Sequence, residues 1–98
     1  MIKEFDGNIE TLTKEPCIVD IWAEWCGPCK VTGKNLEVFA QAHPEVTIYK
    51  VDAEQYPDIA EHFSIMSLPT ILCMDKEVLW RHIGLITTKQ LEDKLWQK

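Results

Sequence analysis

The chain has 98 residues, with ten Lys and Arg against sixteen Asp and Glu, a formal charge of −6. A chain of this size buries roughly 60–70 % of its unfolded surface, which supports one core and excludes two domains. The acidic balance, without any Lys/Arg cluster, speaks against nucleic acid or an anionic membrane surface as partner, and no apolar run nears the roughly 18 residues of a membrane span.

In chain order, Ile2 to Phe5 reads as an edge strand and Asn8 to Glu15 as a short, weak helix. Cys17-Ile18-Val19-Asp20-Ile21-Trp22, bounded by Pro16, is an apolar run of strand length and reads as a buried strand. Helical composition follows Cys26 and continues to about Ala42, with Leu36, Phe39 and Ala40 at helical spacing. His43-Pro44 stops it, because the residue before a proline disfavours helix. Val46 to Val51 is rich in β-branched residues and predicts a second core strand. Pro57 opens a short helix through His62, since proline suits a first helical position. Thr70 to Met74 and Val78 to Ile83 read as two strands joined tightly through Asp75-Lys76-Glu77, an antiparallel hairpin. Gly84 breaks the run, and Thr87 with Gln90 three residues on forms a capping box. Leu91 and Leu95 give the last helix its apolar face. Strand–helix–strand in the first half implies a parallel pair with a crossover helix. The hairpin adds antiparallel strands to the same sheet. The expected fold class is therefore α/β: a central mixed β-sheet flanked by helices on both faces, one domain over residues 1–98.

Four cysteines, Cys17, Cys26, Cys29 and Cys73, are a modest load, and the N-terminus lacks the basic region and apolar block of a secretory signal. Both facts point to a reducing, cytoplasmic setting, where a close cysteine pair is more often catalytic or metal-binding than structural. Cys26 and Cys29 stand three apart where a strand gives way to a helix. Side chains at i and i+3 are neighbours on a helical turn, so the two sulfurs can reach bonding distance and part again with little backbone movement. The free N–H groups of the helix start and its dipole favour an anion, which makes Cys26 a nucleophile as its thiolate. Cys29, one turn deeper, should be less exposed and hold its proton longer. Pro28 can open the helix without wasting a donor, Gly27 leaves the approach to Cys26 open, and Trp25 sets apolar surface beside it.

Two other readings of the pair need weighing. One C-x-x-C is half of a zinc site, which takes four ligands. No second close pair exists among Cys17, Cys73, His43, His62 and His82, so no metal is expected. An inert structural disulfide is the other. The strand-to-helix context instead matches a redox motif. Asp20 adds to it, because a carboxylate inside a buried apolar strand carries a heavy desolvation cost and tends toward a raised pKa. Cys17 and Cys73 read as small apolar core residues, the three histidines as surface or helix-end residues, and Trp80 and Trp96 as packing residues.

The stretch Val19-Asp20-Ile21-Trp22-Ala23-Glu24-Trp25-Cys26-Gly27-Pro28-Cys29-Lys30 resembles the active-site segment of the thioredoxin family, apart from Ile21, where the family more often has an aromatic residue. Ser67-Leu68-Pro69-Thr70 resembles the family's cis-proline segment. Lys50 near the end of a central strand, and Gly84 before a capped helix, agree in order. The resemblance covers nearly the whole chain and implies the thioredoxin fold, a three-layer sandwich. It implies a general protein-disulfide reductase in which Cys26 attacks a target disulfide and Cys29 resolves the mixed disulfide. Asp20 would take the proton of the resolving thiol, and Lys50 would tune Asp20. Gly27, Pro28 and a cis Pro69 would support the site, and Trp25, Ser67, Leu68, Gly84 and Leu85 would form an apolar rim for substrate. The implied partners are a thioredoxin reductase and proteins carrying disulfides. No bound cofactor is implied, and a monomer suffices. The chain departs from the family in lacking a helix-kinking proline after Cys29, in Ser67 where many relatives have glycine, and in the absence of a turn glycine at Asp75-Lys76-Glu77.

Two rival functions remain at this point. One is a disulfide oxidant or isomerase, against which Gly27-Pro28 speaks, since oxidising members usually carry a histidine beside the second cysteine. The other is a scaffold without redox turnover, which would survive replacement of both cysteines by serine.

Overall fold

Chain order delivers strands and helices alternately in the first half and a hairpin in the second. The structure, a computed structural model, describes residues 1–96. Its elements are β1 (Ile2–Glu4), α1 (Ile9–Lys14), β2 (Cys17–Trp22), α2 (Gly27–Ala42), β3 (Ile48–Asp52), α3 (Pro57–His62), β4 (Thr70–Asp75), β5 (Glu77–Ile83) and α4 (Thr88–Lys94). They form one sheet in the order β1-β3-β2-β4-β5. β1 and β2 both run parallel to β3, whereas β4 is antiparallel to β2 and β5.

Alternation along β2 decides what each face of the sheet buries. Cys17, Val19 and Ile21 face one way, against Leu12 of α1 and Ile59 of α3, with Leu72 and Met74 from β4. Ile18 faces the other way, against Leu36 and Phe39 of α2, Leu91 of α4, and Ile71. Helices therefore cover both faces, as the pattern implied. β2 lies in the middle, its residues from Cys17 to Ile21 are all buried, and its run is apolar on both sides except at Asp20.

Local signals hold where the sequence chemistry is explicit. Asn8 caps α1 by accepting from Glu10 N–H at 3.0 Å. α2 runs unbroken from Gly27 to Ala42 and ends where His43 N–H bonds the Phe39 carbonyl. His43 Nε2 also meets Glu92 Oε2 at 2.8 Å, tying α2 to α4.

Three details differ from the sequence reading. β3 begins at Ile48 rather than Val46, because Val46 N–H is taken by the His43 carbonyl as the helix unwinds. The hairpin turn is tighter than expected, and Lys76 takes the left-handed conformation (φ 68°) that a turn glycine would hold elsewhere. Trp80 does pack, donating from Nε1 to the Lys94 carbonyl at 2.9 Å, but Trp96 is two-fifths exposed.

The capping box of α4 is complete: Thr87 Oγ1 accepts from Gln90 N–H at 3.1 Å, and Gln90 Oε1 accepts from Thr87 N–H at 2.9 Å. Thr87→Ala should therefore lower stability by about 1 kcal/mol in urea unfolding, while Thr87→Ser stays within a few tenths. An unchanged midpoint in the alanine variant would mean that α4 is held by the packing of Leu91 alone.

Candidate active site

β2 ends at Trp22, and after four intervening residues α2 begins at Gly27. The turn between them is closed by Cys26 N–H on the Ala23 carbonyl at 3.2 Å. Cys26 is thereby the N-cap of α2, with extended backbone, and its sulfur accepts the Cys29 N–H at 3.2 Å. A thiolate at this atom would receive that N–H and the positive end of a sixteen-residue helix. Pro28 lies in the first turn, where its missing donor costs nothing. Cys26 and Cys29 are joined as a disulfide with Cα atoms 5.3 Å apart, the expected span for such a bridge. In this state both are buried, at 4 % and 2 % exposure, so the difference in depth expected between them is slight. They pack with Ala23, Trp22 and Leu68. A Cβ at Gly27 would meet nothing within 4 Å, so the space beside the residue that follows Cys26 is open.

The Leu68–Pro69 peptide is cis, as the family resemblance implied. Leu68 of this segment packs against the cysteine pair. Thr70 Oγ1 donates to the Ser67 carbonyl at 2.7 Å and closes the turn. Trp25, Ser67 and Leu68 line one groove of about 280 Å³ together with Ala53, Ile65 and Met66. Trp25 is 70 % exposed and Met66 90 %. Met66 was absent from the rim read off the sequence; a methionine inside an irregular stretch carries no periodic signal. Gly84 and Leu85 do not line that groove. They stand beside it, Gly84 N–H bonding the Pro69 carbonyl at 2.9 Å.

Asp20 lies on the α2 side of β2, fully buried. Lys50 is its register partner on β3, and Lys50 Nζ stands 3.1 Å from Asp20 Oδ2. The ion pair is close but poorly aligned, and neither carboxylate oxygen accepts a well-formed hydrogen bond from the protein. Burial pushes the Asp20 carboxyl above its ordinary value, and the Lys50 ammonium offsets part of that rise. The same ammonium sits 5.2 Å from the centre of the Trp22 ring. A cleft of about 270 Å³, lined by Trp22, Ala23, Cys29, Gly33 and Lys50 among others, connects this ammonium with the inner cysteine.

Among the described residues, no group of three or more His, Cys, Asp and Glu side chains is placed to hold a metal, and no helix is long and apolar enough to cross a membrane. Cys17 and Cys73 are buried free thiols. Cys17 Sγ donates to the Leu12 carbonyl at 3.5 Å, and burial, aided by Cys73, pushes its pKa up to about 12. Burial likewise raises Cys73. Both behave as the small apolar residues expected.

The family model described as Thioredoxin matches residues 2–97. The chain is 41 % identical over 94 residues to "Thioredoxin" of Alicyclobacillus acidocaldarius, covering 92 % of this chain and 90 % of that one. It is 38 % identical over 82 residues to "Thioredoxin, mitochondrial" of Bos taurus, covering 82 % of this chain and 49 % of that protein. Among solved structures it resembles the oxidised mitochondrial thioredoxin 3 of Saccharomyces cerevisiae, with a TM-score of 0.82, 28 % identity, and coverage of 96 % and 92 %.

The buried carboxyl makes a sign prediction. Its folded-state pKa lies above the ordinary 3.8, so the folded protein holds this proton to higher pH than the unfolded chain. The contribution of Asp20 to stability is greatest below the unfolded pKa and falls as pH rises through the folded one. Asp20→Asn should then be more stable than the parent at pH 8, with the gain shrinking toward pH 4. Urea titrations across that range check it. A variant less stable at every pH would mean that the Lys50 pair outweighs the desolvation.

Proposed function

The chain belongs to the thioredoxin family, oxidoreductases that act on protein disulfides, and from that premise we propose how its own residues divide the work. The observation that carries the proposal is the position of Cys26: an N-cap sulfur bonded by Cys29 N–H, next to a glycine with open space beside it.

In the reduced state the Cys26 thiolate, stabilised by the helix N–H groups, attacks one sulfur of a target disulfide. A mixed disulfide forms, and the other target sulfur leaves as a thiolate and takes a proton. Cys29 then loses its proton and attacks Cys26 Sγ. The intramolecular disulfide forms, and the second target sulfur leaves. Two electrons have passed to the target. Asp20 is the proton acceptor for Cys29. Its raised pKa supports this, because a carboxyl closer to neutrality is a better match for a thiol than an ordinary aspartate. The cleft that Cys29 shares with Lys50, the ion-pair partner of Asp20, favours this reading. Lys50 sets the balance of Asp20 through its charge at 3.1 Å.

Gly27, Pro28 and Pro69 support the pair. Trp25, Ser67 and Leu68, with Gly84 and Leu85 alongside, receive an extended segment of the target. The exposure of Trp25, Met66 and Leu85 favours that reading. Family members are recharged by thioredoxin reductase, and this chain takes its electrons the same way, as a carrier without a bound cofactor. One sheet packed on both faces supports a single domain over residues 1–98, and the reaction needs no more than a monomer. Two free buried thiols suit a reducing compartment, the cytoplasm.

Cys29→Ser should trap covalent mixed disulfides with target proteins, visible as adducts on non-reducing gels that dithiothreitol releases. Cys26→Ser should form none and lose reductase activity. Adducts that form through Cys29 instead, in the Cys26→Ser protein, would reverse the two roles.

A further inference from the structure

The loop from β5 to α4 is tied down at four backbone atoms. Gly84 N–H donates to the Pro69 carbonyl at 2.9 Å. The Leu85 carbonyl accepts from His82 Nε2 at 2.9 Å. Ile86 N–H donates to Thr32 Oγ1 at 3.3 Å, and the Ile86 carbonyl accepts from Asn35 Nδ2 at 2.9 Å. Both polar atoms of one buried residue are thus held by two side chains of α2, more than fifty positions earlier in the chain. Thr32 and Asn35 are three apart and share a helix face. Thr32 is fully buried in a stripe otherwise made of Cys29, Leu36 and Phe39. A helix threonine commonly turns its hydroxyl back on its own helix; here the oxygen faces the loop.

The consequence lies one residue away. Gly84, at φ 95°, and Leu85, 41 % exposed, stand between the clamped Ile86 and the Pro69 carbonyl. Their height against the Leu68–Pro69 segment is set from both ends. We propose that Thr32 and Asn35 are positioning residues for protein substrates: by clamping Ile86 they hold Gly84 and Leu85 in the shape that an extended target segment docks against. The proposal rests on the rim assignment made above. Neither residue acts on the reacting sulfurs. Releasing the clamp lowers the fraction of molecules with a docking-competent loop, and apparent affinity falls in proportion to that fraction. A small disulfide that needs no rim should not sense the change.

The test compares insulin, a protein disulfide turned over with dithiothreitol as electron source, with dithionitrobenzoate, a small one mixed with pre-reduced protein freed of dithiothreitol. Thr32→Val keeps the shape and removes the acceptor, and Asn35→Ala removes the donor at a half-exposed position. Each should raise KM for insulin about fivefold, with kcat and the rate with dithionitrobenzoate near the parent's. Thr32→Ser should restore the parental KM, and amide exchange at Ile86 should quicken in the valine variant and return in the serine one. An unchanged insulin KM in Asn35→Ala and Thr32→Val, beside an active parent, would overturn the clamp alone. Equal losses on both substrates would also overturn it, since the sulfurs rather than the rim would then be disturbed. A parent that fails to reduce insulin at all would remove the reductase reading beneath it.

Discussion

The strand-to-helix junction at Cys26 is the constraint on which the rest of the molecule depends. For a sulfur to cap a helix, the helix must start at a fixed place and angle. β2 supplies the place, since it is the middle strand and is paired on both sides. Leu36 and Phe39 supply the angle by packing α2 onto Ile18 and Ile71. With both ends of the junction anchored in the core, the cysteine Cα atoms are held 5.3 Å apart, within the span a disulfide takes. A rigid frame of this kind lets a covalent bond form and break without asking the sheet to move.

The core spends its polarity at that same end. The buried polar residues among those described are Asp20, Thr32 and Thr70. Asp20 sits under Lys50 beside the inner cysteine's cleft. Thr70 closes the turn that presents Leu68 and cis Pro69. Thr32 reaches the loop that shoulders Pro69. Elsewhere the same layers are filled by Leu, Ile, Val and Phe. A polar group in a core is costly unless satisfied, and local rules are broken in a protein mainly where function asks for it. Thr32 and Thr70 are satisfied by backbone partners. Asp20 has only an off-axis ion pair, which leaves its charge state open to change.

How much of this could be read from the sequence divides by range of interaction. The strand from Cys17 to Trp22, the helix from Cys26 onward, and the Thr87–Gln90 box are local patterns, and they stand where the sequence placed them. Asp20 was conspicuous because one carboxylate interrupts an apolar run. The start of β3 was missed because Val46 and Thr47 have β-branched side chains, while the competing claim on Val46 N–H comes from the end of α2. Lys76 hides the tight turn by occupying a conformation that sequence rules assign to glycine. Met66, Thr32 and Asn35 carry no local sign of their use. The two clamp bonds span fifty-one and fifty-four positions, and only the folded sheet brings them together. Cys17 and Cys73 show the opposite lesson. They are close in space, on paired strands, yet Cys17 pairs with Met74 and Cys73 with Ile18, so their side chains leave opposite faces of the sheet.

The central claim is that the Cys26–Cys29 couple gives electrons to protein disulfides rather than taking them from protein thiols. The direct measurement is its midpoint potential, obtained by equilibrating the purified protein in glutathione buffers of known ratio and reading the thiol content of the pair. The account predicts a single two-electron transition at a potential below that of the glutathione couple. A potential well above it would contradict the account and mark the pair as an oxidant, and the absence of any two-electron transition would contradict a redox role altogether.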